Sequence, residues 1–374
     1  MAASTIGGTQ ALELGGPQGE DPRAWVGRLA RYRGTSSRRA LIELTVTALP
    51  FLALWVAMWL SLAVGYWLTL LLALPAAGLL VRLFVIQHDC GHGSFFGQRR
   101  ANDWLGRVIG VLTLTPYGAW RHQHALHHGT SGNLDRRGEG DVETLTVREF
   151  HMLPAWRRLL YRSWRNPLAV LGVGPLFVFV LKHRLPEHPL RAGPSMWRDV
   201  MAFNLVIAAV IGAMVALMGA RQFLLVQLPI TWLASAMGVW LFYVQHQFER
   251  TFWEHEANWT LYRGGLLGSS HLDLPAVLRW FTANIGMHHV HHLSASIPSY
   301  RLAEVLRDHP ELRWANRLTL RQSLTCFRLA LWDEDTGKLV SFGQARRIAR
   351  SASEHSGFAD APDKMRRAQS PAAA

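Results

Sequence analysis

Cysteine is nearly absent from this chain: Cys90 and Cys326 are the only two in 374 residues. Two cysteines cannot form a disulfide framework, and these two do not have the spacing of a cysteine metal site. The chain also has no C-x-x-C-H haem motif, and no apolar run precedes Ala40 that would predict a signal peptide. A disulfide scaffold and a c-type haem protein are therefore excluded.

Charge is missing from four long stretches of the sequence. A helix needs about 20 apolar residues to cross the roughly 30 Å hydrocarbon core of a bilayer. The pattern predicts an all-α polytopic protein of the inner membrane with four transmembrane helices. Two shorter apolar stretches, 104–118 and 168–181, favour interfacial or re-entrant helices, and nothing predicts a strand-forming domain. The four long stretches are 44–65, 66–81 (continued after Arg82), 200–220 and 223–244.

Acidic residues are outnumbered, and the net charge is +13. Nearly all basic residues lie outside the apolar stretches and the two short linkers inside the helix pairs. Since Lys and Arg favour the cytoplasmic side, both termini and the loop 88–199 are expected in the cytoplasm. No aromatic–basic module suggests nucleic-acid binding. We expect a mobile polar lead over 1–39, a membrane domain over 40–310 and a basic cytoplasmic tail over 311–374.

Histidine is abundant, with 18 residues, and most of them are grouped at or beyond the ends of the predicted spans. On a helix, residues at i, i+3 and i+4 share one face. Relative to His124, His127 points about 60° to one side and His128 about 40° to the other, whereas His122 points about 160° away. In the group from His288 to His292, the same angles place three histidines on one helix face and leave His289 at the edge of that face. The histidines that converge are His88 and His92; His124, His127 and His128; and His288, His291 and His292, with His246 as a ninth candidate.

Eight converging imidazoles indicate metal binding. If protonated they would repel one another, and if neutral they would leave many polar nitrogens beside an apolar wall. Eight or nine nitrogen ligands suit two ions, and imidazole binds iron, copper, nickel and zinc alike. A transporter would place its ligands near the middle of the bilayer, whereas these lie at the span ends. The other histidines, such as His122, His255, His271 and His289, are interpreted as interfacial or hydrogen-bonding residues.

The chain resembles the membrane fatty acid desaturases. The resemblance covers roughly residues 40–310 and includes H-x3-H after the second span and H-x2-HH in the loop and after the fourth span. The stretches "HDCGHGSFF", "VQHQFERTFW" and "NIGMHHVHHLSASIPSYRL" resemble the bacterial acyl-lipid branch of the Δ12/ω-6-like group. The resemblance implies a desaturase domain over 40–310, with a cytoplasmic cap that holds two non-haem iron ions through the nine histidines.

The resemblance further implies an O2-dependent enzyme that introduces a cis double bond into an acyl-lipid or acyl-thioester. The chain lacks the H-P-G-G motif of fused cytochrome domains, so a separate ferredoxin- or cytochrome-type donor is expected. A fatty acyl hydroxylase, a carotenoid ketolase and an alkane hydroxylase use similar histidine motifs. The hydroxylase and ketolase alternatives stay open. An alkane hydroxylase is disfavoured, because those enzymes carry longer histidine motifs and more spans than this chain has.

Carboxylates and amides near the histidines are expected to orient them, and aromatic residues are expected to line an acyl tunnel. The Gly-rich segment 129–144 suits a loop folded over the metals. The candidates for orienting the histidines are Asp89, Asp135, Asp141, Glu249 and Asn284. The candidates for the tunnel are Trp120, Trp259, Trp280 and Phe281.

Overall fold

The structure is a computed structural model that describes residues 21–138 and 140–359. The chain is mainly helical, as predicted. In chain order the α-helices of the described part are α1 (Pro22–Leu29), α2 (Ser37–Ser61), α3 (Tyr66–His92), α4 (Arg99–Leu112), α5 (Tyr117–Thr130), α6 (Val147–Met152), α7 (Ala155–Trp164), α8 (Gly174–Leu176), α9 (Pro194–Met218), α10 (Ala220–His246), α11 (Leu261–Leu267), α12 (Ala276–Phe281), α13 (His288–Leu293), α14 (Ser299–Asp308), α15 (Leu320–Thr325) and α16 (Phe342–Ala359).

The four predicted spans are confirmed as α2, α3, α9 and α10, which are long and apolar enough to cross a membrane. They form two pairs, each with a short connection. Gly219, which joins α9 to α10, has a φ of 87°, a left-handed conformation that favours glycine. Helices α3 and α10 have 27 residues each, or about 40 Å at 1.5 Å per residue. Each is therefore longer than the hydrocarbon core.

A cap of polar chain covers one end of the four spans. It consists of α1 together with the described residues of 93–168, 185–193 and 247–351. Helix α4 has 14 residues, too few to cross the core, and exposes Trp104, as expected for an interfacial helix. The histidine-bearing ends of α3 and α10 extend into this cap.

The segment after α7 is re-entrant. Residues Ala169–Arg184 form a helix of mixed α and π turns, bent by 56° from α7. At its start, Arg165 donates a 2.7 Å hydrogen bond to Gln247, which directly follows the fourth span. At its end, Arg184 bonds the carbonyl of Leu114 in the cap. Both ends thus lie on the cap side, which favours the interfacial or re-entrant prediction for 168–181 over a full span.

A charged residue, Arg82, lies in the middle of the second span, where it is 4% exposed. Its Nε donates to Thr47 Oγ1 at 3.0 Å, and its Nη atoms contact the Glu43 carboxylate and the Trp280 carbonyl. The guanidinium therefore has a carboxylate partner and joins the first two spans to α12 of the cap. A buried charge of this kind is tolerated because it is paired and hydrogen-bonded.

Short strands in the cap were not predicted by the sequence. Strand β1 pairs in parallel with β4, which pairs with β5 in the antiparallel direction, and β2 pairs in parallel with β3. With two or three residues each, these strands have no detectable hydrophobic periodicity. The strands are β1 (Leu145–Thr146), β2 (His271–Asp273), β3 (Arg317–Thr319), β4 (Leu331–Asp333) and β5 (Lys338–Val340).

Both ends of the described chain pack against the cap. The expectation of a mobile lead is wrong for residues 22–32, because Trp25, Leu29 and Tyr32 are buried in one cluster with Val290 of α13. The described part of the expected tail is folded, since β3, β4 and β5 belong to the two sheets and α16 follows them. The remainder of the lead, 1–20, and of the tail, 360–374, lies outside the described residues.

Candidate metal centre

The structure brings all nine predicted histidines together in two adjacent clusters. In each cluster the ring nitrogens lie within 4.8 Å of one another. Cluster one is partly accessible, whereas every member of cluster two is buried. Cluster one consists of His88, His92, His124, His128 and His291, and cluster two consists of His127, His246, His288 and His292.

The first two histidines project from the end of α3. His88 and His92 are one turn apart, and both contribute to cluster one. Gly93 ends the helix with a φ of 72°, a conformation that glycine adopts without strain. The chain therefore turns away directly after His92 and leaves its imidazole at the helix end.

The histidines of α5 divide between the clusters. His124 and His128 face cluster one, and His127 faces cluster two. The division follows from the helix, because adjacent residues such as His127 and His128 point about 100° apart. His122 is exposed and belongs to neither cluster, in keeping with its position across the helix.

The histidines of α13 also divide between the two clusters. His288 and His292 join cluster two, together with His246 from the end of α10, and His291 joins cluster one. His289 is fully buried but points elsewhere, and its Nε2 lies 2.9 Å from the Leu312 carbonyl. The helical spacing thus predicted correctly that His289 does not converge with its neighbours.

The spacing of the ring nitrogens suits a bound cation better than hydrogen bonding. His124 Nε2 lies 3.0 Å from His92 Nε2 and 3.1 Å from His128 Nε2. In cluster two, His288 Nε2 lies 3.0 Å from His246 Nε2 and 3.1 Å from His292 Nε2. A neutral imidazole nitrogen either donates or accepts, so one nitrogen cannot satisfy two such neighbours.

These distances also match coordination geometry. Metal–imidazole bonds of about 2.1 Å at right angles place adjacent nitrogens roughly 3.0 Å apart. The donor set, five imidazoles in one cluster and four in the other, is one that iron and other first-row metals accept. The residues present therefore fit two metal ions.

Burial keeps the imidazoles in the neutral form that binds metal. Desolvation lowers the pKa of His124, His128 and His291 well below the ordinary value, and neighbouring imidazoles lower it further. The pKa values of His288 and His292 are lowered for the same reasons. Because metal ligands must be deprotonated, these histidines need no proton release before they bind an ion.

Two of the five candidate orienting residues contact histidines of the clusters. The Asp89 carboxylate lies 3.4 Å from His88 Nδ1 and also accepts a 2.7 Å hydrogen bond from the Ser299 amide. The Asp141 carboxylate contacts His127 Nδ1. This contact places Asp141, from the 129–144 segment, beside cluster two.

The other three candidates lie away from the histidine clusters. Asp135 contacts His255, Glu249 contacts Lys338, and the Asn284 amide bonds the Ser299 carbonyl. The sequence missed two partners of the clusters. The Gly268 carbonyl lies 3.2 Å from His246 Nδ1, and the Trp120 ring stacks on His124 at 4.7 Å. A backbone carbonyl gives no sequence signal.

Replacing Asp141 by asparagine should reduce activity about 10- to 100-fold, the usual cost of losing a carboxylate that orients a metal-binding histidine. The amide keeps the size of the side chain but has no charge to hold the His127 ring. Turnover and metal content of the purified variant would be compared with those of Asp135→Asn, whose carboxylate contacts the exposed His255 and the Glu256 amide away from the clusters. Equal activity of the two variants would contradict the assigned role of Asp141.

An apolar cavity of about 870 Å³ adjoins the clusters. Its walls are α3, α10 and the re-entrant segment, and its volume lies in the range of small-molecule sites. His88, His124 and His288 form part of its lining, so the cavity reaches both clusters. An elongated apolar molecule placed here would lie beside the bound metals.

Only one of the four aromatic residues predicted to line a tunnel does so. Trp120 lines the cavity, but the other three do not. The Trp259 indole bonds the Ser131 carbonyl, Trp280 packs on Arg82, and Phe281 packs against Gly78. The residues that do line the cavity include Phe84, Phe177, Phe179 and Phe242.

Known protein sequences are similar to this chain over most of its length. The sequence model of the fatty acid desaturase family matches residues 64–323, which contain all nine histidines. The chain belongs to the fatty acid desaturase family. A fatty acid desaturase from Bacillus subtilis is 42% identical over 339 residues, which cover 91% of this chain and 94% of that protein. Both clusters lie within the matched residues, and their donor sets fit a metal site.

More distant relatives belong to the same family. The sn-1 oleoyl-lipid 12-desaturase of Synechocystis is 29% identical over 59% of this desaturase and 62% of that protein. A second protein from the same organism, the sn-1 acyl-lipid omega-3 desaturase (ferredoxin), is 26% identical over 59% of this chain and 61% of its own length. The names of these two relatives give different positions for the double bond.

Proposed function

We propose that this desaturase uses O2 and two non-haem iron ions to introduce a cis double bond into the acyl chain of a membrane lipid or acyl-thioester. The observation that carries the proposal is the position of two imidazole clusters at the wall of an apolar cavity. A non-enzymatic metal carrier would not need such a cavity. Bound iron would supply the reduction of dioxygen and the removal of hydrogen from an unactivated carbon, which no side chain can perform.

The nine clustered histidines are assigned as the ligands in this proposal, with one ion in each cluster. Asp89, Asp141 and the Gly268 carbonyl hold three of the rings from outside, so the ligand geometry is set before an ion binds. The cavity wall holds the acyl chain and excludes water, which protects the reacting carbon from competing solvent. Trp120 contributes to both tasks, because it lines the cavity and stacks on His124.

Lipid profiling tests the reaction. The gene would be expressed in a host that lacks polyunsaturated lipids, and its fatty acids would be analysed by mass spectrometry. A desaturated product, two mass units lighter than its precursor, is expected with the wild type and not with His128→Ala. A product heavier by one oxygen atom would assign the chain to the hydroxylases instead, and an oxidised carotenoid would assign it to the ketolases.

A separate protein is proposed to supply the electrons. One relative is named as a ferredoxin-linked desaturase, and cluster one is the more accessible of the two clusters. A small acidic ferredoxin would be attracted to a chain of net charge +13. We therefore propose a ferredoxin- or cytochrome-type donor that approaches from the cap side.

We also propose that the cap faces the cytoplasm, as the distribution of basic residues suggests. Single cysteines at Val64 and Leu190, which are 72% and 102% exposed, lie at opposite ends of the spans. Both native cysteines are buried and should give little background. In intact cells an impermeant thiol reagent should label Val64→Cys and leave Leu190→Cys unlabelled until the cells are opened. The reverse labelling pattern would place the cap outside.

A further inference from the structure

The cavity runs along α10 from the metal centre into the membrane-spanning part of that helix. Its lining includes residues from every turn of α10 between Thr231 and Gln245, and Gln245 directly precedes His246 of cluster two. The fourteen residues from one to the other correspond to about 21 Å of α-helix. The residues of α10 that form this wall include Thr231, Ala234, Ser235, Gly238, Phe242 and Gln245.

Gly238 lies in the middle of this wall. At about 100° per residue, Thr231 and Gln245 point within roughly 20° of Gly238, and Ala234 and Phe242 within roughly 40°. Since all four line the cavity, a side chain at position 238 would point into it. The space is open, because a Cβ built on Gly238 meets no described atom within 4 Å.

The end of the cavity farthest from the metal centre is apolar. Thr231 and Ser235 carry hydroxyls, but both hydroxyls bond within α10. Gln227 Nε2 donates to Thr231 Oγ1 at 3.0 Å, and Ser235 Oγ donates to the Thr231 carbonyl. Leu80 and Val81 of α3 also line the cavity. Because a buried polar group without a partner is costly, a hydrocarbon chain suits this end.

The opposite end of the cavity is polar and lies on the cap side. Arg137 from the 129–144 segment lines it, as do Lys182 and Glu187 at the end of the re-entrant segment. Lys182 Nζ lies 2.7 Å from Glu187 Oε1, and the Lys182 side chain is 44% exposed. An acyl chain with a polar carrier therefore keeps the carrier at the cap and directs its methyl end along α10.

The position of Gly238 along the helix corresponds to a number of carbons. Gly238 precedes His246 by eight residues, or about 12 Å along α10. C–C bonds of about 1.5 Å at tetrahedral angles advance an extended chain by roughly 1.3 Å per carbon. A chain that passes cluster two therefore extends by about nine carbons before it reaches the level of Gly238.

We propose that Gly238 determines how many carbons of the acyl chain can extend beyond the metal centre. This inference rests on the proposed function. With no side chain at 238, the methyl-terminal part of a long chain passes this level and continues toward Thr231. A larger residue would close the passage. A long chain would then be excluded, or it would be held nearer to the cap with later carbons beside the metals.

The variant Gly238→Leu tests this role, with Gly212→Leu as its matched control. Gly212 lies in α9, a Cβ built on it also meets no described atom within 4 Å, and it is not part of the cavity lining. Both variants thus add the same side chain to a spanning helix, and leucine favours a helix more than glycine does. Gly238→Ala gives a smaller obstruction at the same place.

Each variant would be expressed in the host that lacks polyunsaturated lipids. The cells would be supplied with myristic, palmitic or stearic acid, which the host attaches to its own carriers, and the products would be analysed by mass spectrometry. In Gly238→Leu we expect the ratio of stearic- to myristic-derived product to fall at least about tenfold, since one misplaced methylene group in an apolar pocket already has an effect of this size. Gly238→Ala should change the ratio less, and Gly212→Leu should behave as wild type.

The position of the double bond is the second readout. A product of stearic acid whose double bond lies nearer to the methyl end in Gly238→Leu would also support the inference. Unchanged length preference and bond position in Gly238→Leu at normal metal content would overturn the inference while desaturation itself stands. If Gly238→Leu loses its metal, the same two readouts in Gly238→Ala decide. No product from any of the acids with the wild type would overturn the proposed function and the inference with it.

Discussion

Replacing His124, His127 or His128 by alanine is expected to abolish product formation, whereas His122→Ala should retain most of it. The first three imidazoles each lie within one of the two clusters, and the fourth is exposed on the other side of α5. Loss of one ligand leaves an ion under-coordinated and also releases the outer contacts that orient the remaining rings. His288→Ala, His291→Ala and His292→Ala should be equally inactive.

Activity would be measured with purified protein at matched amounts, and membrane expression would serve as the folding control. His289→Ala is a second comparison, because His289 is buried but bonds the Leu312 carbonyl outside the clusters. It should bind metal normally and lose thermal stability. A fully inactive His122→Ala at normal protein levels would contradict the assignment of the α5 histidines, and a fully active His127→Ala would remove that residue from cluster two.

About two metal ions per chain are expected in the active enzyme, because nine imidazoles in two separate clusters are too many for one ion. The clusters also predict which ion each variant loses. His92→Ala should weaken the ion of cluster one and His246→Ala the ion of cluster two, so that each variant holds about one ion. His246 is the informative case, since resemblance rather than spacing first nominated it.

Elemental analysis of purified protein gives the metal content, and turnover measured on the same sample separates iron from misincorporated zinc. His255→Ala is a suitable control, because this exposed histidine contacts Asp135 and Glu334 away from the clusters. Full activity with one ion per chain would refute the two-metal assignment. An unchanged content in His246→Ala would exclude that residue from the ligands.

Much of the membrane architecture could be predicted because the signals are local. An uncharged stretch such as 44–65 has few alternatives to a spanning helix, and α2 follows it closely. The helical spacing of the histidines was equally informative. It separated His122 and His289 from the converging residues before any tertiary contact was known.

The assignment of each histidine to one of the two clusters could not be predicted. His127 and His128 are neighbours in sequence but face different clusters, and the partner of each comes from another helix. The same limit applies to the cavity. Phe84 and Phe179 meet at 6.1 Å although 95 residues separate them, and nothing in either local sequence indicates that contact. The parallel pair of β1 and β4 joins segments that are even more distant in the chain.

The order of the histidines along the chain has a consequence for biosynthesis. The first, His88, precedes the last, His292, by roughly two hundred residues. At about 5–20 residues per second, a ribosome completes the site some 10–40 s after His88 is made. Both clusters take residues from α13, so neither is complete while the fourth span is being inserted. Metal loading must therefore follow translation of almost the whole chain, and a ribosome stalled before residue 288 would leave a membrane-inserted protein with both clusters incomplete.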